Sequence, residues 1–245
     1  AMADMVNKQI IIFKDIDDIT DYVVRKWTEI AEKTVNEKGF FSVAISGGKT
    51  PATLFQKLAK EKKLPWNRTH VFMVDERFVP YQDEHNNYRM INELLLRHVN
   101  IPAKNIHPIS TIVESPQASA LKYEKELNSF FRSRPGFDLV LLGIGEDGHT
   151  ASLFPRTPSL KEKKHSAIAV PPSGTIMSER ITMTFPVIDN AENIMFMAEG
   201  PGKSGVIREV IENEKSRLPA ALVRPGEGSL FYLLDEAAAS LLSKK

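Results

Sequence analysis

The segment Phe137–Leu142, FDLVLL, constrains the fold more than any other stretch of the chain. Its residues are apolar at consecutive rather than alternate positions, with Asp138 as the exception. Successive side chains of a strand point to opposite faces, so such a strand is stable only where both faces are covered. It reads as a central strand. It runs directly into the loop Gly143-Ile144-Gly145-Glu146-Asp147-Gly148-His149.

Shorter runs at Gln9–Phe13, Phe41–Ile45, Val71–Val74, Ser166–Val170, Arg180–Thr184, Ile194–Ala198 and Leu230–Leu234 read as further strands, the first of them buried. Between them, Asp15 to about Lys38 carries Ile16, Ile19, Val23, Trp27, Ile30 and Ala31 at helical spacing. Asn86–Val99, Pro116–Arg132, Gly202–Asn213 and the alanine-rich Glu236–Leu242 also read as helices. Thr50-Pro51 opens another, with a side-chain oxygen at the N-cap and proline at the first helical position. Strands alternating with helices predict an α/β fold, a mainly parallel sheet with helices on both faces. No repeat, low-complexity tract or long linker interrupts the 245 residues, so a single domain is expected. Pro171-Pro172-Ser173-Gly174 reads as an active-site loop rather than a boundary.

Composition removes several function classes. A net charge of +1 argues against a dedicated nucleic-acid binder. The absence of cysteine removes disulfides, thiolate catalysis and cysteine-held metals, and suits a reducing compartment. No apolar run reaches transmembrane length, and the N-terminal stretch lacks a signal peptide's layout, so a cytoplasmic location and no membrane partner are expected.

In open parallel sheets, ligands collect beyond the carboxyl ends of the strands. Three such ends carry dense polar groups. The first is Ser46-Gly47-Gly48-Lys49-Thr50-Pro51. Adjacent glycines let backbone N–H groups approach an anion, and Ser46, Lys49 and Thr50 add donors. The alternative is a plain strand-to-helix turn that contains glycine. A Walker loop is excluded, because Val43 stands where its first glycine is required. The second is Val74-Asp75-Glu76-Arg77-Phe78-Val79-Pro80. Arg77 can bind phosphate or stabilise an oxyanion, held by Asp75 or Glu76; solvated loop charge is the alternative.

The third is Gly143–Pro155, GIGEDGHTASLFP. Gly143, Gly145 and Gly148 match the dinucleotide fingerprint G-x-G-x-x-G. A true fingerprint opens a long helix and leads to a second strand that ends in an acid. Here Pro155 cuts the segment short, and Ser166–Val170 runs into Pro171-Pro172 without one. The better reading is an Asp147/His149 pair: a carboxylate fixes the imidazole tautomer and stabilises its protonated form, as a water-activating base needs. No G-x-S-x-G elbow and no H-E-x-x-H cluster occur, so neither a serine nucleophile nor a catalytic metal is expected.

Together, SGGKTP at Ser46–Pro51, VDERFVP at Val74–Pro80 and GIGEDGHTASLFP at Gly143–Pro155 resemble the 6-phosphogluconolactonases and their relatives, the glucosamine-6-phosphate isomerases. The resemblance continues in ERITMTFPVI at Glu179–Ile188, GPGK at Gly200–Lys203 and LPAALV at Leu218–Val223. It implies a modified Rossmann-like fold without a dinucleotide or other cofactor. The implied substrate is a small phosphorylated sugar lactone of the oxidative pentose phosphate pathway. His149 would activate water with Asp147 as its partner, and Arg77 would lie near the phosphate or the lactone carbonyl. Ser46, Gly47, Gly48, Lys49 and Thr50, with Arg180 and Lys203, would form the phosphate site. Without the resemblance, Arg180 and Lys203 read as solvent-facing. The isomerases carry a glutamate where Phe154 precedes Pro155, and typically a tyrosine where Arg77 stands, which favours lactone hydrolysis. The other alternative is a sugar-phosphate sensor without turnover.

Overall fold

The computed structural model describes residues 7–174 and 177–243. Within them, β1 (Asn7–Phe13), α1 (Ile16–Lys38), β2 (Phe41–Ile45), α2 (Ala52–Leu58), β3 (Thr69–Met73), β4 (Asp75–Arg77), α3 (Asn87–Leu94), β5 (Ile106–His107) and α4 (Pro116–Phe131) follow in order. They continue with β6 (Leu139–Leu142), β7 (Ala167–Val170), β8 (Arg180–Met183), α5 (Phe185–Ile188), β9 (Asn193–Ala198), α6 (Ser204–Glu212), α7 (Pro219–Leu222) and β10 (Ser229–Asp235).

Seven strands form one parallel sheet in the order β1-β10-β9-β6-β2-β3-β5. Every residue of β2 and β6 is buried. Since consecutive residues face opposite sides, both faces of the sheet centre are covered. Asp138, the polar exception at the start of β6, accepts from Ser42 N and Oγ and pairs with Lys38 Nζ at 2.6 Å. The carboxylate thus ties the end of α1 to two central strands. α1 buries Ile19, Val23, Trp27 and Ala31 at four-residue intervals, is capped by Asp15 and stops at Gly39 in the left-handed region. It packs on α2, and α2 on α3. No helix of the described residues is long and apolar enough to cross a membrane.

From β2 the chain steps outward to β3 and β5, then returns to the other side of β2 with β6, β9 and β10. The order reverses between β2 and β6. That is where open α/β sheets leave a crevice.

Several expectations need correction. Asp75–Arg77, read as a strand's polar end, is itself β4, and it pairs antiparallel with β8, which pairs with β7. The strands read at 166–170 and 180–184 therefore form a separate three-stranded sheet. Val74 joins the two sheets: its N–H donates to Ile45 and its carbonyl accepts from Met183. β1 is an edge strand rather than a buried one, with Ile10 43% exposed, because β10 alone flanks it. Thr50 makes no N-cap bond; Pro51 occupies that position and α2 starts at Ala52. The helix expected over 86–99 ends at Leu94 and gives way to a short 3-10 turn. Glu236–Leu242 forms successive turns, not a helix.

Candidate active site

The loops after β2 and β6 flank one cleft of about 640 Å³ at the switch point, within the roughly 300–1,000 Å³ span of small-molecule sites. Ser46, Gly47, Gly48, Lys49 and Thr50 line one side, and His149 the other. Arg77, Arg180 and Lys203 also face it. Of the expected site residues, only Asp147 stands outside the wall, behind the imidazole.

No α-helix follows between β6 and β7, so the strand-to-helix setting that a dinucleotide fingerprint requires is missing there. The loop folds back through Gly145 N to His149 O and Gly148 N to Gly145 O, both 2.9 Å, and Thr150 Oγ1 donates to Gly143 O. Asp147 Oδ1 accepts from His149 N at 3.0 Å and lies 2.6 Å from His149 Nδ1. Burial alone would raise the Asp147 carboxyl, but these bonds outweigh it and hold it below its ordinary value. An ionised carboxylate only accepts, so Nδ1 carries the proton in this contact.

A Cβ on Gly145 would lie 2.1 Å from His149 Nδ1, so the imidazole occupies the space a side chain would need. Gly148, at φ 87°, passes over Leu218, and its carbonyl accepts from Ala220 N. Leu218–Val223 therefore underpins the loop after β6 from a distant part of the chain.

The cationic side is assembled from three elements. Arg77 and Arg180 are directly opposed in the β4–β8 register. Arg77 Nη1 donates to His85 O, while its buried Nε has no hydrogen-bond partner. Burial and the neighbouring Arg77 charge lower Arg180, which lies over the Phe154 ring at 5.2 Å and donates weakly to Ser173 O. Like charges so placed repel unless an anion lies between them. Lys203 Nζ donates to Ile144 O at 2.6 Å, which anchors the ammonium beside the loop after β6. Ser46 Oγ donates to Leu141 O, so the glycine turn is tied to β6. Phe154 also packs on His149, ring centroids 4.8 Å apart.

Three polar cleft residues escaped the sequence reading: Asn87, Glu199 and Asp235. Asp235 ends β10 and its carboxylate accepts from Gly200 N, shaping the turn that leads to Lys203. Its signal, an acid at the end of an apolar run, was available. Asn87 looks like any helix-opening residue. Asp75, expected to hold an arginine, accepts from Ser152 Oγ at 2.6 Å, and its charge acts on Arg180. Glu76 is fully buried and accepts from the N–H groups of Arg77, Asn87 and Tyr88. Burial pushes its carboxyl up to about 7, although those donors pull the other way. Among the described residues, no three His, Asp or Glu side chains group so as to hold a metal ion.

A family profile described as glucosamine-6-phosphate isomerases/6-phosphogluconolactonase matches residues 14–232. The 6-phosphogluconolactonase of Synechocystis is 37% identical over 240 residues, covering 96% of this chain and 95% of that protein. The crystal structure of 6-phosphogluconolactonase from Thermotoga maritima superposes with a TM-score of 0.83 at 34% identity, covering 93% and 99%. The 6-phosphogluconolactonase structure from Trypanosoma brucei gives 0.84 at 30% identity, covering 97% and 100%.

Proposed function

We propose that this chain, which belongs to the glucosamine-6-phosphate isomerase/6-phosphogluconolactonase family, hydrolyses 6-phospho-D-glucono-1,5-lactone to 6-phosphogluconate in the cytosol, without a cofactor. The observation that carries the mechanism is the His149 base, its Nδ1 held by Asp147, in the same cleft as Arg77, Arg180 and Lys203. The phosphate is held by the glycine turn and the basic side chains, which places C1 beside the imidazole. Nε2 takes a proton from water as the oxygen attacks C1. The tetrahedral oxyanion is stabilised by the flanking cations or backbone N–H groups. His149 then returns the proton to the ring oxygen as the C1–O bond breaks, and the chain opens as a carboxylic acid.

Phe154 favours this over isomerisation with deamination. Ring opening of an aminosugar phosphate needs an acid–base group where this apolar ring packs on His149. General-base assistance is worth about 10²–10⁴-fold, so His149→Ala should lower kcat by roughly that factor. The assay is 6-phosphogluconate formation from fresh lactone at a pH where spontaneous opening is slow. Wild-type turnover in the variant would remove His149 from the mechanism; ammonia release from glucosamine 6-phosphate would replace the whole reading.

A further inference from the structure

Glu76 does not line the cleft, yet each of its polar partners belongs to a segment that does. Its Oε1 accepts from Arg77 N at 2.9 Å and from Asn87 N at 2.8 Å, and its Oε2 accepts from Tyr88 N at 2.9 Å. Two of these are first-turn amides of α3, which have no partner within the helix. Asn86 Oδ1 takes the third, from Arg89. One buried carboxyl thus joins both ends of the surface excursion between β4 and α3. That excursion carries His85, whose carbonyl receives Arg77 Nη1. At its far end stands Asn87, buried and lining the cleft, with Nδ2 donating to Asp75 O. A Cβ on Gly47 would come within 2.3 Å of Asn87 Oδ1, so the amide lies directly on the glycine turn.

We propose that Glu76 is a positioning residue for the sugar phosphate: without touching the ligand, it sets where Arg77 and Asn87 stand against the Ser46–Thr50 turn. The reason is geometric. Arg77 enters the cleft from β4 and Asn87 from α3, and no strand pairing joins those two elements directly. A helix cap alone would need only the amides of Asn87 and Tyr88. The third bond, to Arg77 N, ties that cap to the arginine. Binding of the anion and closure of the Glu76 bonds must then stabilise each other equally. The inference rests on reading the cleft as a sugar-phosphate site.

Two measurements test it. In wild type, amide hydrogen exchange is followed with and without saturating 6-phosphogluconate, and with inorganic phosphate. The ligand should slow exchange at Asn87 and Tyr88 together with Gly47 and Gly48. Protection confined to the glycine turn would overturn the proposal. In Glu76→Gln one oxygen acceptor is retained and the other becomes an N–H donor facing an N–H. The Kd for 6-phosphogluconate and the KM for the lactone should both rise roughly three- to thirtyfold, with kcat changed less than about threefold. Unchanged Kd and KM in a folded variant, or a fall in kcat alone, would refute positioning. If the variant does not fold, the wild-type exchange experiment decides. A wild type that binds phosphate but leaves the lactone intact would sink the lactonase reading alone, because the exchange arms use no turnover.

Discussion

Gly145 shows how a residue can matter through what it lacks. The glycines after β6 match a dinucleotide fingerprint in spacing, but the structure gives Gly145 a different task. A methyl there would meet His149 Nδ1 at 2.1 Å, Cε1 at 2.2 Å and Asp147 Oδ1 at 2.8 Å. Gly145→Ala should therefore displace the imidazole while leaving the sheet intact. Misplacement by about 1 Å costs roughly 10²-fold in rate. Steady-state kinetics should show that loss with an unchanged far-UV circular dichroism spectrum. The Asp147/His149 pair was legible because two residues of spacing suffice to bring a carboxylate onto an imidazole. Asn87 was not, because its importance comes from contact with Gly47, forty positions earlier in the chain.

At the scale of elements, consecutive apolar runs and helical stripes located β2, β6 and α1 to within a residue or two, since burial on two faces or along one stripe writes a period into the sequence. The small antiparallel sheet was missed for a related reason. β4 has only three residues, all charged, and its pairing with β8 is a tertiary event. The alanine-rich tail misled in the other direction: helix propensity is a weak prior, and successive turns replaced the helix.

Asp189, closing α5, offers a test of how such junctions are held. Its Oδ1 accepts from Arg224 N at 2.9 Å, and burial pushes its carboxyl up to about 7 despite that bond and the charges of Arg134 and Arg224. A raised folded-state pKa means that the folded protein binds the proton more tightly than the unfolded chain. Its contribution to stability is complete below the ordinary aspartate range near pH 4 and is lost as pH rises towards 7. Asp189→Asn should flatten the decline in Tm over that window and raise Tm at pH 8 relative to wild type. An equal slope in the variant would place the pH dependence elsewhere.

Over the whole molecule, the cleft exists because the strand order reverses between β2 and β6. Elements far apart in sequence, the turn at 46–50, β4, the loop at 143–149, β8 and the turn before α6, meet around it. A ligand bridging them should stabilise the fold globally. At a hundredfold excess over Kd, 6-phosphogluconate adds about 2.7 kcal/mol, or roughly 5–10 °C in Tm for a chain of this length. Arg180→Ala should lose most of that shift at the same ligand concentration in differential scanning calorimetry; a full shift would take Arg180 out of the anion site.

The chain's own pattern was enough for the α/β class, the central strand and the three polar strand ends, because local periodicity and short motifs act over a few residues. Strand order, the second sheet, the facing arginines and the support of the 143–149 loop by Leu218–Val223 depend on which segments meet across the core. Those choices are made by long-range packing, and no local stretch of sequence carries them.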